Sequence, residues 1–344
     1  MKHINIPVFI PHLGCPNTCV FCNQRKISGV SEFDIGSVRD KIEAVLESER
    51  VSGAEIEIAF FGGSFTGIPR DQMISLLELA GKYLGSGDVK SLRCSTRPDY
   101  IDEEIISILM SHGMTTIELG IQSMSDEVLR LSRRGHTAEQ STRACRLIKE
   151  SGMKLVGQMM TGLPGSSRED EIHTAECLCR AGADAARVYP TMVFAQTELE
   201  SMMNRDEYIP PDTEDTVERV ADVLEVFGRH SIPVIRIGLC SSDDLESDTG
   251  IVAGGYEPAI GEMAVSRIFL RRMTEALGSP ENVSGEALRD GTFCVTCPPR
   301  MTSAVFGHRS ANRKALFRMY GIKKLTVTEN ADLDGYNIKM CSGR

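Results

Sequence analysis

The segment DEEIISILMSHGMTTIELGIQSM, residues 102–124, contains the unit from which most of this chain is built. Apolar residues recur three and four positions apart in its first half, which predicts an amphipathic helix. Gly113 follows, as expected of a residue that ends a helix, and TTIELGI then has the composition of a strand. A helix that leads through a short turn into an apolar strand is the repeating unit of a parallel α/β sheet.

The same unit recurs on both sides of this segment. Glycines at positions 113, 152 and 182 each lie a few residues before the next apolar run. We therefore predict six strands in one parallel sheet, with the sequences INIPVFI, EIEIAFF, SLRCS, TTIELGI, KLVGQMM and DAARVYP. A further helical pattern, DTEDTVERVADVLEVFGRH, leads into IPVIRIGL, which we predict to be the last strand of the main domain.

A change of composition marks the end of this pattern. The segment SSDDLESDTG, residues 241–250, is polar, acidic and ends in glycine, so we place a domain boundary after residue 240. Residues 1–240 form the predicted core, and residues 241–344 form a small α/β domain that we expect to cover part of its opening. The elements predicted for this second domain are helices near 259–277 and 309–319 and strands near 292–297 and 324–328.

The composition indicates a cytoplasmic protein. The first residues, MKHINIPVFIPHLG, lack the pattern of a signal peptide, and no apolar run is long enough to span a membrane. Disulfides are rare in the reducing cytoplasm, so clusters among the 11 cysteines indicate metal binding or catalysis. The net charge of −10 argues against general affinity for nucleic acid, although the stretch from Arg300 to Lys324 holds seven Lys or Arg residues and no acid.

Three cysteines crowd into GCPNTCVFC, residues 14–22, directly after the first predicted strand. Loops at this end of the strands carry the active sites of parallel α/β folds. Soft thiolates so close together suit zinc or an iron-sulfur cluster. Structural zinc sites and ordinary ferredoxin clusters use four protein ligands, so three cysteines leave one metal position for an exchangeable ligand.

These cysteines and the strand-end motifs that follow them resemble the radical S-adenosylmethionine superfamily. Its signature is Cys-x3-Cys-x-aromatic-Cys, here with Phe21 before the last cysteine, and FFGGSFTG (60–67) stands where the family carries a Gly-Gly motif. The later motifs are most similar to oxygen-independent coproporphyrinogen oxidases and to the radical domain of the Elongator catalytic subunit. They are CSTRPDYI, ELGIQSM, LSRRGHT, QMMTGLPG and RVYP, and PVIRIGL and GGYEPAIGEM extend the likeness to short bacterial Elongator-like proteins.

The resemblance implies a fold and a reaction. The expected fold is a partial (β/α)6 TIM-like barrel with the small α/β C-terminal domain. Cys15, Cys19 and Cys22 would hold a 4Fe-4S cluster, and S-adenosylmethionine would chelate the remaining iron. An electron from a reductant such as flavodoxin or ferredoxin would then release methionine and a 5′-deoxyadenosyl radical, which abstracts hydrogen from a substrate. No glycine-rich acetyl-CoA loop is present, so we expect no acetyltransferase domain.

The resemblance also implies a set of cofactor contacts. Ser64 and Phe65 replace the family's usual Glu-Pro, and Ser95 and Gln158 stand where the coproporphyrinogen oxidases have acids. An amide can bond ribose hydroxyls, and a guanidinium can pair with a carboxylate, which suits Gln122 and Arg134. The predicted contact residues are Phe21, Gly62, Gly63, Ser64, Ser95, Glu118, Gln122, Arg134, Gln158 and Tyr189.

The substrate is left open among three hypotheses. The protein modifies tRNA, bound through Arg309, Arg313 and Lys314; or it acts on a small anionic metabolite; or it is an iron-sulfur electron carrier or redox sensor without its own substrate. Cys294 and Cys297 form a second close pair, which with Cys240 or Cys341 could hold zinc or another cluster. Two partly buried cysteines on one strand are the simpler interpretation.

Overall fold

The fold is taken from a computed structural model that describes residues 2–10, 15, 19–22, 34–48, 53–239, 250–279 and 291–340. The strands are β1 Lys2–Ile10, β2 Ala54–Gly62, β3 Ser91–Thr96, β4 Met114–Gln122, β5 Lys154–Thr161, β6 Ala185–Pro190, β7 Val193–Phe194, β8 Val234–Ile237, β9 Ile251–Ala253, β10 Thr292–Cys297, β11 Lys324–Glu329 and β12 Lys339–Met340. The helices are α1 Ile35–Leu46, α2 Arg70–Ser86, α3 Glu103–Ser111, α4 Asp126–Leu131, α5 Ala138–Glu150, α6 Arg168–Arg180, α7 Glu198–Asn204, α8 Thr213–Arg229, α9 Ile260–Leu277, α10 Thr302–Phe306 and α11 Ala311–Tyr320.

Seven parallel strands form one curled sheet, in the order β1-β2-β3-β4-β5-β6-β8. Each strand pairs in parallel with the next, and helices connect them across the outer face. This confirms the predicted α/β partial barrel, in which the six predicted strands are followed by the predicted last strand as the seventh.

Strand alternation sorts the side chains of the sheet into two environments. On β4, Ile117, Leu119 and Ile121 belong to the main core under the outer helices. Glu118 and Gln122 therefore point to the opposite, concave face of the sheet. The same alternation on the neighbouring strands brings polar and charged side chains to the inside of the half-barrel.

The C-terminal part has its own small sheet and core. Strands β10 and β11 are parallel, and β12 pairs with β10 in the antiparallel sense. Helix α9 joins the two cores, because Ala264 and Ile268 pack in the main core while Phe269 and Met273 pack in the second. The boundary placed after residue 240 stays a prediction, since residues 240–249 lie outside the described part of the chain.

Ion pairs tie α9 to α8 along their outer edge. Arg271 pairs with Asp222 at 2.7 Å and with Glu225 at 2.8 Å, and it also contacts Glu218. Arg267 reaches the same Glu218. Because several partly buried charges share partners here, the contact is a network and not a set of isolated surface pairs.

Cys294 and Cys297 both lie on β10, within the strand predicted near residues 292–297, but the disulfide at Cys294 was not predicted. Cys297 is fully buried in the second core beside Phe293 and Val295, whereas Cys294 is partly exposed on the opposite face and is disulfide-bonded. Two side chains on opposite faces of a strand cannot share one metal ion. Cys240 and Cys341, the other suggested ligands, lie outside the described residues.

No helix in the described ranges is long and apolar enough to cross a bilayer.

Candidate active site

The described cysteines of the three-cysteine motif lie at the carboxyl end of the strands, after β1. Cys15 is partly exposed and Cys19 is buried. The Cys22 amide donates to the Cys19 carbonyl at 3.0 Å, so these two residues share a tight turn. Burial and the neighbouring Cys19 raise the pKa of the Cys15 thiol, while Arg97, Arg134 and a hydrogen bond from the Ser64 backbone oppose the rise. Two thiols therefore lie close together with cationic groups beside them.

Arg134 connects the cysteine segment to the barrel. Its Nη1 donates to Cys19 Sγ at 3.3 Å, and its Nη2 donates to the Gly120 carbonyl at 2.6 Å. The side chain is buried, and its Nε has no hydrogen-bond partner in the described structure. A buried donor without a partner is costly, so this nitrogen suits a polar ligand.

Arg97 is a site residue that the sequence interpretation missed. It is 3% exposed, and Asp99 holds it through two hydrogen bonds of 2.9 Å. Its Nη2 also donates to the Arg134 carbonyl, and its Nη1 is buried without a partner among the described residues. The motif Thr-Arg-Pro-Asp-Tyr contained a signal, because an arginine two residues before an aspartate can form such a fork.

Gln122 has a third unpartnered polar atom, besides Arg134 Nε and Arg97 Nη1. Its backbone has a φ of +69°, a conformation that costs a residue with a side chain about 1 kcal/mol or more. A methyl group at Gly120 would lie 3.1 Å from Gln122 Nε2 and 3.4 Å from Arg134 Nη2, so Gly120 leaves the two side chains room to approach. The Oε1 of Gln122 is buried and has no partner within the described ranges.

The predicted glycine motif packs against the end of β1. Gly62 has a φ of +110°, and a Cβ there would lie 2.5 Å from the Ile10 carbonyl oxygen, so only glycine fits. The Gly63 amide donates to that carbonyl at 3.0 Å. The Ser64 hydroxyl bonds Thr96 at 2.7 Å and accepts from the Arg97 amide at 3.2 Å. The Ser64 side chain thus ties β2 to β3, and only its backbone turns to Cys15.

Glu118 gathers two other predicted contact residues on the concave face. It is fully buried and accepts hydrogen bonds from Gln158 Nε2 at 2.8 Å and Ser95 Oγ at 3.4 Å. Arg93 and Arg187, which the sequence interpretation also missed, each donate to it at 2.8 Å. Ser95 and Gln158 lack carboxylates, and Glu118 places one directly between them.

Tyr189 and Phe21 have different surroundings. Tyr189 lies on the concave face, where burial raises the pKa of its hydroxyl and Arg187 donates to it at 3.4 Å. Phe21 packs with Val20, Leu199 and Tyr208 in a separate apolar cluster. Phe21 therefore packs the cysteine segment against α7, and its contacts with other described residues are all apolar.

The donor set fits an iron-sulfur cluster with a small polar ligand. Among the described residues no three His, Cys, Asp or Glu side chains converge as a metal site, and residues 11–14, 16–18 and 23–33 of the cysteine segment lie outside that set. Soft thiols beside two guanidiniums and a backbone amide suit an anionic cluster. The unpartnered Arg97 Nη1, Gln122 Oε1 and Arg134 Nε supply both donors and an acceptor for an amino acid and a ribose.

The sequence is similar to those of known proteins. Residues 9–178 match the radical SAM superfamily, and residues 183–269 match the Radical_SAM C-terminal domain. An uncharacterised protein of Methanocaldococcus jannaschii is 29% identical over 286 residues, which cover 80% of this chain and 86% of that protein. A Methanocaldococcus infernus protein named tRNA uridine(34) acetyltransferase is 33% identical over 196 residues, which cover 54% of this chain but only 36% of that protein.

A solved structure has the same fold. The archaeal Methanocaldococcus infernus Elp3 with an N-terminal deletion superposes with a TM-score of 0.58 at 24% identity, covering 83% of this chain and 65% of that one. The two family matches run almost without a gap from residue 9 to residue 269, and the cysteine and glycine motifs lie within them. The chain therefore belongs to the radical SAM superfamily, is similar to Elongator-type proteins, and is an enzyme of that superfamily, in which an iron-sulfur cluster and S-adenosylmethionine are implied.

Proposed function

We propose that this protein reductively cleaves S-adenosylmethionine at a 4Fe-4S cluster held by Cys15, Cys19 and Cys22, and takes a hydrogen atom from a substrate bound in the half-barrel. The observation that supports this most is the set of buried, unpartnered polar atoms on Arg97, Gln122 and Arg134. Each of these side chains keeps one polar atom without a partner in the described structure. An iron-sulfur electron carrier needs thiolates but has no use for such a set of atoms.

The roles of the residues follow from their chemistry. Arg134 Nε and Arg97 Nη1 donate to the carboxylate of the cofactor, and Gln122 Oε1 accepts from a ribose hydroxyl. The Gly62–Gly63 turn packs against the end of β1, and the backbone of the next residue, Ser64, contacts Cys15. When bound, the cluster supplies the electron that splits S-adenosylmethionine into methionine and the 5′-deoxyadenosyl radical that takes hydrogen from the substrate. The curled sheet shields the reacting carbon from water, which limits side reactions.

RNA is the substrate class that we propose. One relative is named for its action on tRNA, although this chain spans only 36% of its length. The C-terminal part carries a group of exposed cations, here called the basic face: Arg309, Arg313, Lys314, Arg318, Lys323 and Lys324. None of them forms an ion pair with another described residue. Free, exposed cations on a chain of net charge −10 are available to phosphates.

An exposed aromatic side chain lies within the basic face. Phe317 is 58% exposed on α11, in the turn that follows Arg313 and Lys314 and next to Arg318. Residues 313 and 317, like residues 314 and 318, are four apart and so share one side of the helix. A ring among cations suits stacking on an unpaired base together with phosphate contacts. The small anionic metabolite hypothesis has no need of this surface.

The cleavage reaction is tested by anaerobic reconstitution with iron and sulfide, reduction with dithionite, and measurement of 5′-deoxyadenosine. Wild type should form it, and Cys19→Ala should lose both the cluster absorbance and the product. Cys177→Ser is the matched control, because Cys177 is a free cysteine on α6 whose thiol contacts Arg180. A Cys19→Ala protein that retains product formation contradicts the proposal. A wild-type cluster that is reduced but never binds S-adenosylmethionine supports the electron carrier instead.

RNA binding is tested by filter retention of an unmodified tRNA transcript over a range of salt. The triple variant Arg309→Gln, Arg313→Gln, Lys314→Gln should bind more weakly, with a shallower dependence on salt. The control Arg143→Gln, Arg146→Gln, Lys149→Gln removes the same charge from α5, where all three cations are paired with acids. Equal loss in both triples, or none in either, contradicts a specific role for the basic face and favours the small anionic metabolite.

A further inference from the structure

We infer that Arg187 and Arg236, together with the nearby Tyr189, form a subsite on the concave face that binds one oxyanion group of the substrate. The inference rests on the proposed function in one respect, namely that the substrate lies inside the half-barrel. The ligand chemistry is a carboxylate or a phosphodiester, because a guanidinium pairs with either through two parallel hydrogen bonds.

The two arginines are placed opposite each other by the strand register. Arg187 on β6 pairs with Arg236 on β8 in the parallel ladder. Paired residues on neighbouring strands point their side chains to the same face, so both guanidiniums reach the inside of the curled sheet. Two guanidiniums on one face of neighbouring strands can together contact a single anionic group.

Arg187 is held ready for a ligand. Its Nη2 donates to Glu118 at 2.8 Å, and its guanidinium carbon lies 5.7 Å from the centre of the Phe61 ring. These two contacts fix the plane of the guanidinium and leave its Nε–H group unused. Its Nε is buried and has no hydrogen-bond partner in the described part of the protein. That nitrogen is therefore a donor prepared for a group that comes from outside the chain.

Glu118 cannot neutralise this region alone. One carboxylate accepts from both Arg93 and Arg187, and also from Gln158. Arg93 has a second acid, since its Nε lies 2.7 Å from Glu57. Among the described ion pairs, Arg187 has only the one with Glu118, which also pairs with Arg93. Part of the charge of Arg187 therefore remains uncompensated, although the side chain is partly buried.

Tyr189 completes the subsite and shows that its members are close. Arg187 Nη1 donates to its hydroxyl at 3.4 Å. The charges of Arg187 and Arg236 both oppose the rise in its pKa that burial causes. All three side chains are partly exposed, so a ligand can reach them. The hydroxyl supplies a neutral donor near the two cations.

The experiment measures anion binding to the reconstituted full chain. Thermal unfolding is followed at constant ionic strength while sodium chloride is replaced by sodium dimethyl phosphate or by sodium acetate. Wild type should be stabilised in a saturable manner by at least one of the two probes. Arg236→Gln should weaken that binding by about tenfold, the usual effect of losing one charged hydrogen bond. Arg236→Lys keeps the charge and should recover part of the affinity, which separates loss of binding from misfolding. The control Arg229→Gln, at the exposed end of α8, should bind as wild type does.

Saturation by dimethyl phosphate alone identifies a phosphodiester, and saturation by acetate alone identifies a carboxylate. The inference is overturned if neither probe saturates, or if Arg236→Gln binds as tightly as wild type. Formation of 5′-deoxyadenosine by the same preparation reports on the proposed function separately. A protein that forms this product but shows no anion binding contradicts the subsite only, and the reverse result contradicts the cleavage reaction only.

Discussion

Arg134 Nη1 donates a hydrogen bond to Cys19 Sγ across 3.3 Å, which joins two residues 115 positions apart in the chain. The same guanidinium bonds the Gly120 carbonyl on β4. One buried side chain thus connects the proposed cluster ligand to strand β4. A sulfur that accepts a hydrogen bond from a cation is better suited to carry negative charge.

Loss of this contact should weaken both cluster retention and cofactor binding. Arg134→Gln removes the charge beside Cys19, and we expect fewer irons per chain after reconstitution and about tenfold weaker binding of S-adenosylmethionine. Iron analysis and equilibrium dialysis measure the two effects. The adjacent Arg133→Gln is the control, because Arg133 is exposed and pairs with Glu198 at 3.2 Å. Equal behaviour of the two variants would show that Arg134 has no special role.

The Asp99 carboxylate should matter far more for stability than a surface carboxylate of the same geometry. Asp99→Asn leaves the buried Arg97 without its counter-charge, and we expect the free energy of unfolding to fall by about 3 kcal/mol or more. Glu127→Gln breaks a similar two-bond contact with Arg130 on the surface and should have almost no effect. Urea denaturation compares them, and similar losses would contradict the buried character of the Arg97 pair.

His136 should make the protein less stable in acid. Burial, together with the charge of Arg134, lowers the pKa of His136 to about 3 in the folded state. Below its ordinary pKa of 6.5 the unfolded chain takes up a proton and the folded chain does not, so stability falls as the pH falls. Between pH 8 and pH 5 the titration of His136 should lower the free energy of unfolding by about 2 kcal/mol.

The measurement is the difference in urea midpoint between pH 8 and pH 5. His136→Gln should show a smaller difference than wild type, because the titrating group is gone. His230→Gln, which changes an exposed histidine, should keep the wild-type difference. An unchanged pH dependence in His136→Gln would refute the assignment.

Alanine substitutions at two strand glycines should have different effects, one on cofactor binding and the other on stability. An added methyl at Gly120 meets Gln122 and Arg134 in the site, whereas one at Gly157 would lie 2.4 Å from Leu178 under the helices. We expect Gly120→Ala to weaken S-adenosylmethionine binding with little loss of stability. Gly157→Ala should lower stability by about 1–3 kcal/mol through overpacking and leave binding of the folded protein intact. The reverse pattern would place Gly120 in the core and not in the site.

The order of strands and helices could be predicted because each element has its own local periodicity of apolar residues. Alternation with period two and spacing of three or four residues depend only on near neighbours. Capping agrees with this, since Thr137 and Ser167 begin α5 and α6 with reciprocal capping boxes. The strand-end motifs could be located for the same reason, because each follows directly after an apolar run.

The partners of the charged side chains could not be predicted in this way. Arg93, Arg97 and Arg187 lie in motifs that were quoted from the sequence, yet none of them was assigned a role. Their acids come from other strands in the case of Arg93 and Arg187, so no local pattern marks the pairs. Ser64 is the opposite case. It was predicted to contact the cofactor, but its hydroxyl bonds Thr96 on the neighbouring strand.

The sequence by itself determined the class of fold and the cysteine motif, and it predicted a site at the carboxyl ends of the strands. The tertiary structure decided which polar atoms are satisfied within the chain and which remain for a ligand, as at Arg97, Gln122 and Arg134. The physical reason is that periodicity is a property of adjacent residues, whereas burial and hydrogen-bond satisfaction depend on the curl of the whole sheet, which brings residues from several strands to one place.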